Sequence, residues 1–145
     1  MSLLSINPTT LEKIKSYSEH SDIEIKEILT LANSSQKLWS STELEFRLEC
    51  LRQIIAILRD NKKEYALLIS QEMGKPFSQA KGEIEKCVWL CEYYIQNSET
   101  FLLDKKIEIK GQNSFVTKQP IGLVLGVMPW NFPFWQVFRF SVPAI

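Results

Sequence analysis

Neither sign of charge is in excess in this sequence: seventeen Lys and Arg residues balance seventeen Asp and Glu. With no net field to draw polyanions, nucleic acid and anionic membrane surfaces are poor candidate partners, and any steering has to be local. Cysteines are few, and Cys50, Cys87 and Cys91 are odd in number and lack framework spacing, which argues against a disulfide scaffold. All three fall in helical segments and read as reduced, packed thiols. The single histidine, His20, lies beside a helix start and reads as solvated rather than catalytic. No G-x-G-x-x-G occurs, so cofactor binding cannot be argued from that motif. No internal repeat is evident, and no metal site is assigned. The stretch from Met1 to Pro8 has neither the basic start nor the apolar run of a signal peptide, which predicts a cytoplasmic protein.

What is present is enough for a core: 145 residues, the length of one domain, 45% of them hydrophobic and 11% aromatic. The first hundred residues read as mostly helical after a short extended piece, with turn chemistry at Asn7-Pro8-Thr9-Thr10 and a weak alternation from Glu12 to Tyr17. Ser21-Asp22-Ile23-Glu24 has capping-box spacing and leads into Ile25, Ile28, Leu29 and Ala32. Ser40-Ser41-Thr42-Glu43 opens a second helix whose apolar stripe is Leu44, Leu48, Leu51, Ile55 and Leu58. Asn61 to Glu64 repeats the cap spacing, and that helix ends at Gly74, where a glycine suits a left-handed terminus. A fourth helix starts near Pro76, carries Ala80, Ile84, Cys87, Val88, Cys91 and Tyr94 on one side, and ends near Leu103. Gly82 within it marks either a close neighbour or simple tolerance.

From Lys106 the period changes to two, with Ile107 and Ile109 opposite Lys106, Glu108 and Lys110. Gly111-Gln112-Asn113 supplies a turn and Ser114 to Lys118 a returning strand, giving a hairpin whose apolar side needs a partner. Ile121 to Met128 contains no polar side chain, which predicts a parallel-sheet strand buried on both faces. Such a strand needs neighbours, so the sheet is expected to be incomplete and the sequence cut rather than finished. The divisions are 1–105, a helical region; 106–119, the hairpin; and 120–145, a first core strand, a loop and the start of a helix. A membrane span over 121–145 is improbable because Asn131, Gln136, Arg139 and three prolines interrupt it.

In open α/β sheets ligands bind beyond the carboxyl ends of the strands, so the loop after Met128 is where a site is expected. Pro129 and Pro133 stiffen Trp130, Asn131 and Phe132 between them. Asn131 then presents a neutral amide donor, which suits negative charge developing on oxygen during attack at a carbonyl. The competing reading is an asparagine that only caps a turn between two prolines.

Val127-Met128-Pro129-Trp130-Asn131-Phe132-Pro133 resembles the strand-to-loop signature of the NAD(P)-dependent aldehyde dehydrogenases. Asn7-Pro8, Trp39 followed by Arg47, Glu72-Met73-Gly74-Lys75-Pro76, Ala80 with Glu83, the hairpin, and Gln119-Pro120-Ile121-Gly122 agree in order. The resemblance covers essentially the whole chain and departs near Thr10, where Leu11 replaces a small residue. It implies an α/β fold, the N-terminal, mostly helical part of a Rossmann-type cofactor domain with an oligomerisation arm formed by the hairpin at 106–118.

The resemblance further implies that Asn131 is the catalytic oxyanion-hole donor, and that Met128, Pro129, Trp130 and Asn131 border an NAD or NADP cofactor. Phe132 and Trp135 match the wall of the aldehyde tunnel. Arg139, the one charge in residues 121–145, has the planar, always protonated fork that holds a carboxylate by two parallel hydrogen bonds. In the succinate-semialdehyde branch of the family an arginine at this offset binds the substrate's distant carboxylate, and Trp135-Gln136-Val137-Phe138-Arg139 resembles bacterial members of that branch. The alternative is an ion pair with an acidic residue beyond position 145, because a charge buried in so apolar a stretch needs some partner.

The cysteine nucleophile and water-activating glutamate of that chemistry match no residue in 1–145. The leading expectation is therefore an inactive N-terminal piece of a homo-oligomeric semialdehyde dehydrogenase. A reading from another class is a non-catalytic helical assembly module that uses the hairpin and the apolar C-terminal run.

Overall fold

The computed structural model describes residues 2–145; Met1, part of the N-terminal stretch read above, lies outside them. Two antiparallel strands come first, β1 (Ser2–Ile6) and β2 (Lys13–Ser18), with a register irregularity between Ser5 and Ile6. The turn chemistry at Asn7 is used as expected: its side-chain oxygen accepts the N–H groups of Thr9 and Thr10 at 2.9 and 3.3 Å. Leu11, where a small residue was expected, takes φ 63, a left-handed conformation that costs a branched side chain energy. The pair is tied to the helical body by the Ser5 hydroxyl, which donates to Glu72 Oε1 at 2.7 Å.

Four helices follow: α1 (Asp22–Ser40), α2 (Leu44–Asp60), α3 (Lys62–Met73) and α4 (Phe77–Leu102). The capping box at Ser21 and Glu24 forms in both directions and starts α1. The next two cap sequences act otherwise. Ser40, Ser41 and Thr42 hydroxyls donate back to the carbonyls of Lys37, Leu38 and Trp39, so they close α1 rather than open α2. Asn61 likewise donates its amide to the Ile57 carbonyl at 2.9 Å, sealing the end of α2. Gly74 ends α3 at φ 72, as its position predicts.

The core is built on the stripe of α4, with α2 and α3 packed against it. Leu48, Leu51, Ile55 and Leu58 of α2 and Ala66 and Ile69 of α3 meet Ala80, Ile84, Cys87, Val88 and Cys91. Nothing lies within 4 Å of a Cβ placed on Gly82, so that glycine is tolerated rather than required. Helix α1 differs: it has no buried residue, and Ile25, Ile28 and Leu29 of its apolar face are exposed.

The hairpin is present as β3 (Lys105–Ile109) and β4 (Gln112–Val116), joined through Lys110-Gly111, with Ile109 opposite Gln112. The turn is therefore tighter than the expected Gly111-Gln112-Asn113. Gly111 takes φ 79, a left-handed conformation that glycine adopts without steric cost.

The apolar run corrects the sequence expectation. Residues 117–129 form no strand, and both sheets of the described residues are two-stranded and antiparallel. Ile121 and Leu125 are each 89% exposed. An extended segment becomes a strand only by hydrogen bonding to a neighbour, and no described strand runs beside this one. The last element is α5 (Pro133–Ala144), which packs on α4.

Candidate active site

Glu83 sits in the buried stripe of α4 and is only 4% exposed. A carboxylate there costs energy unless every lone pair is used. Its Oε2 meets the ammonium of Lys75, itself buried just past the left-handed end of α3. Its Oε1 accepts the backbone N–H groups of Phe134 and Trp135 at 2.9 and 3.0 Å. Those are first-turn amides of α5, which no side chain of the preceding residue caps. An anion from α4 thus satisfies the positive end of the α5 dipole, and Pro133 at the first helical position has no N–H to satisfy.

Aromatic contacts extend the grip. The Lys75 ammonium lies 3.7 Å from the centre of the Phe132 ring, and that of Lys86 lies 3.9 Å from the Trp135 ring. Phe134 packs on Tyr65 with ring centres 5.2 Å apart. At the other end of α5, the carbonyl of Ile145 accepts from the Trp39 indole at 3.0 Å and from Arg47 at 3.2 Å. A cation at a helix C-terminus completes the electrostatic match.

The candidate residues all lie on the loop that this anchored helix presents, or on its first turns. Met128 is half-buried. A Cβ on Gly126 would come within 2.5 Å of Met128 Cε and 2.7 Å of Phe140 Cε1, so a larger residue here would have to push the Met128 methyl and the Phe140 ring aside. Pro129, Trp130 and Asn131 are exposed, and Trp130 shows 77% of its surface. An open apolar face beside a neutral amide is a donor set that fits a flat nicotinamide ring. Phe132 is exposed and Trp135 is half-buried.

Arg139 is exposed, so within these residues its guanidinium is open to water.

The cysteines behave as packed groups. Burial first, then the nearby Glu83 charge, pushes the Cys87 thiol up to about 12; burial and Glu92 push Cys91 up to about 11. Neither forms the thiolate that nucleophilic attack requires near neutral pH. Cys50 is half-buried on α2.

Sequence reasoning did not assign Lys75 and Glu83 a role. A signal existed: Glu83 stands three residues after Ala80 and four before Cys87, inside an apolar stripe where a carboxylate is out of place without a partner.

The aldehyde dehydrogenase family model matches residues 2–145. The chain belongs to the aldehyde dehydrogenase family. It is 38% identical over its whole length to a probable NADP(+) succinate-semialdehyde dehydrogenase of Synechocystis, of which it covers 32%. It is 37% identical over 98% of its length to the NAD(P)+ succinate semialdehyde dehydrogenase of Escherichia coli, covering 31% of that protein. The crystal structure of the Streptococcus pyogenes succinic semialdehyde dehydrogenase with NADP+ superposes on 97% of the chain with a TM-score of 0.93 at 32% identity, and the chain covers 31% of it. The chain therefore spans about a third of the length of the relatives it matches.

Proposed function

We propose that residues 1–145 are the N-terminal part of an NAD(P)-dependent dehydrogenase that oxidises a carboxylate-bearing semialdehyde, succinate semialdehyde to succinate. The observation that carries this reading is Asn131, exposed on a turn braced by Pro129 and Pro133 and seated on a helix anchored through Glu83. The relatives' own activities support it.

The Asn131 amide would donate to the aldehyde oxygen as a thiol attacks the carbonyl carbon and the oxygen gains negative charge, lowering the barrier without any movement of its own. Met128, Pro129 and Trp130 would border the nicotinamide. When bound, the cofactor would supply the hydride acceptor that the oxidation of an aldehyde to an acid requires. Phe132 and Trp135 would wall the substrate tunnel, and Arg139 would hold the distant carboxylate. The attacking cysteine and the carboxylate that activates water would lie in a part of the protein that residues 1–145 do not include; Cys87 and Cys91 are held as thiols. On this reading residues 1–145 alone are inactive and the protein is cytoplasmic. Residues 1–105 are then the helical part of the cofactor domain, 106–119 the arm for homo-oligomer assembly, and 120–145 the beginning of the catalytic core.

A second reading, a non-catalytic assembly module, draws on the exposure of Ile121, Leu125 and Val127. Both are tested in a full-length dehydrogenase whose N-terminal segment is this chain. Arg139→Met is expected to raise KM for succinate semialdehyde at least about tenfold, the scale of one lost charged hydrogen-bond pair, while a neutral aldehyde changes little. Equal effects on both aldehydes defeat the carboxylate role, and no oxidation of any aldehyde by the unsubstituted protein favours the assembly module.

A further inference from the structure

We propose that the buried Lys75–Glu83 pair is the positioning element that sets where Asn131 stands, an inference that rests on the dehydrogenase reading and deepens it. The pair holds the chain at three residues just after Asn131. Glu83 holds the amides of Phe134 and Trp135, two and three residues beyond the turn. Lys75 lies against the face of Phe132, the residue next to Asn131. Both side chains spring from the body of the fold: Glu83 from the buried stripe of α4, Lys75 from the connection between α3 and α4.

The geometry explains why charge is buried here when a hydrophobic pair could fill the same volume. A leucine at 83 would pack, but it could not accept the two N–H groups that converge on Glu83 Oε1, so α5 would be free to slide along α4. A carboxylate fixes the helix along its axis and about it, and the ammonium neutralises that carboxylate while pinning Phe132. Because an oxyanion donor must stand within hydrogen-bond reach of a developing charge, displacement by about 1 Å is enough to cost on the order of 100-fold in rate. Lys75 and Glu83 touch neither substrate nor cofactor in this scheme. Their effect on the reaction passes through Asn131.

Two measurements test the proposal. The first is amide hydrogen exchange in the 145-residue chain. Glu83→Leu and the milder Glu83→Gln are expected to speed exchange at Phe134 and Trp135, by about tenfold or more for the leucine variant, while amides at Cys87 and Cys91 within α4 keep their protection. If α4 also loosens in the leucine variant, the glutamine variant decides. Unchanged protection at 134 and 135 overturns the proposal.

The second is a double-mutant cycle in the full-length dehydrogenase carrying this segment. Lys75→Met is expected to lower kcat by about tenfold or more with the aldehyde KM within about twofold, and to lower it by no more than about twofold when Asn131 is already alanine. Equal losses in both backgrounds mean a general structural role and overturn the positioning claim. Should Asn131→Ala by itself leave kcat unchanged, the oxyanion reading fails on its own account, and the exchange measurement alone decides whether the pair holds the loop.

Discussion

Ile84 and Leu125 are both aliphatic, yet Ile84 is fully buried and Leu125 is 89% exposed. The difference lies in what each segment needs from its surroundings. A helix satisfies its own backbone hydrogen bonds, so α4 requires only a complementary apolar surface, and α2 and α3, the two helices just before it in sequence, supply it. The run around Leu125 needs hydrogen-bonding neighbours on its edges as well as covers on its faces. The helical body can therefore complete itself, whereas the segment beside the site depends on other structure. The loop that follows is ordered by being tied to the body through Glu83 rather than by packing of its own.

The largest effect expected to separate the two regions is a core truncation. Ile84→Ala should destabilise the chain by about 2–5 kcal/mol, read from chemical denaturation, whereas Leu125→Ala should stay within about 0.5 kcal/mol. Comparable losses at both positions would show that the run is packed in solution and end the contrast.

The thiols sharpen it next. Maleimide at pH 8 should label half-buried Cys50 in the folded chain and reach Cys87 and Cys91 only on unfolding. The sign of the pH effect follows from folded values raised to about 12 and about 11. The unfolded chain releases these protons above about 8.5 while the folded chain keeps them, so stability from the two thiols is complete below that pH and erodes as pH rises toward 12. Stability that stays level from pH 8.5 to 11 would contradict their burial.

How much was legible follows the same division. The stripes of α2 and α4, the capping box of α1 and the glycine end of α3 came from local spacing, because helices are specified locally. The caps at Ser40 to Thr42 and at Asn61 were misassigned because the same side chains can serve the helix before or the helix after, and spacing alone does not choose. The apolar run was read as a strand because its pattern states a need for burial without stating who meets it. At the site, Asn131 between two prolines stood out, whereas the contact from Glu83 to Phe134 joins residues 51 apart and leaves only a misplaced carboxylate as its trace.

The smallest effect concerns α1, which has no buried residue and relies on its cap. The Ser21 backbone N–H and then its hydroxyl hold the Glu24 carboxyl below its ordinary range. That support is present above the unfolded carboxylate range and is lost as pH falls through the lowered folded value. Ser21→Ala should cost α1 about 1 kcal/mol, seen as a loss of helical circular dichroism with the unfolding midpoint of α2–α4 unchanged. A shift of that midpoint would mean that α1 is part of the body after all.

The most direct test of the central claim is the turnover of Asn131→Ala in a full-length dehydrogenase carrying this segment. The account predicts a kcat lower by about 100- to 1,000-fold, the cost of one oxyanion donor, with little change in aldehyde binding. An unchanged kcat would contradict it.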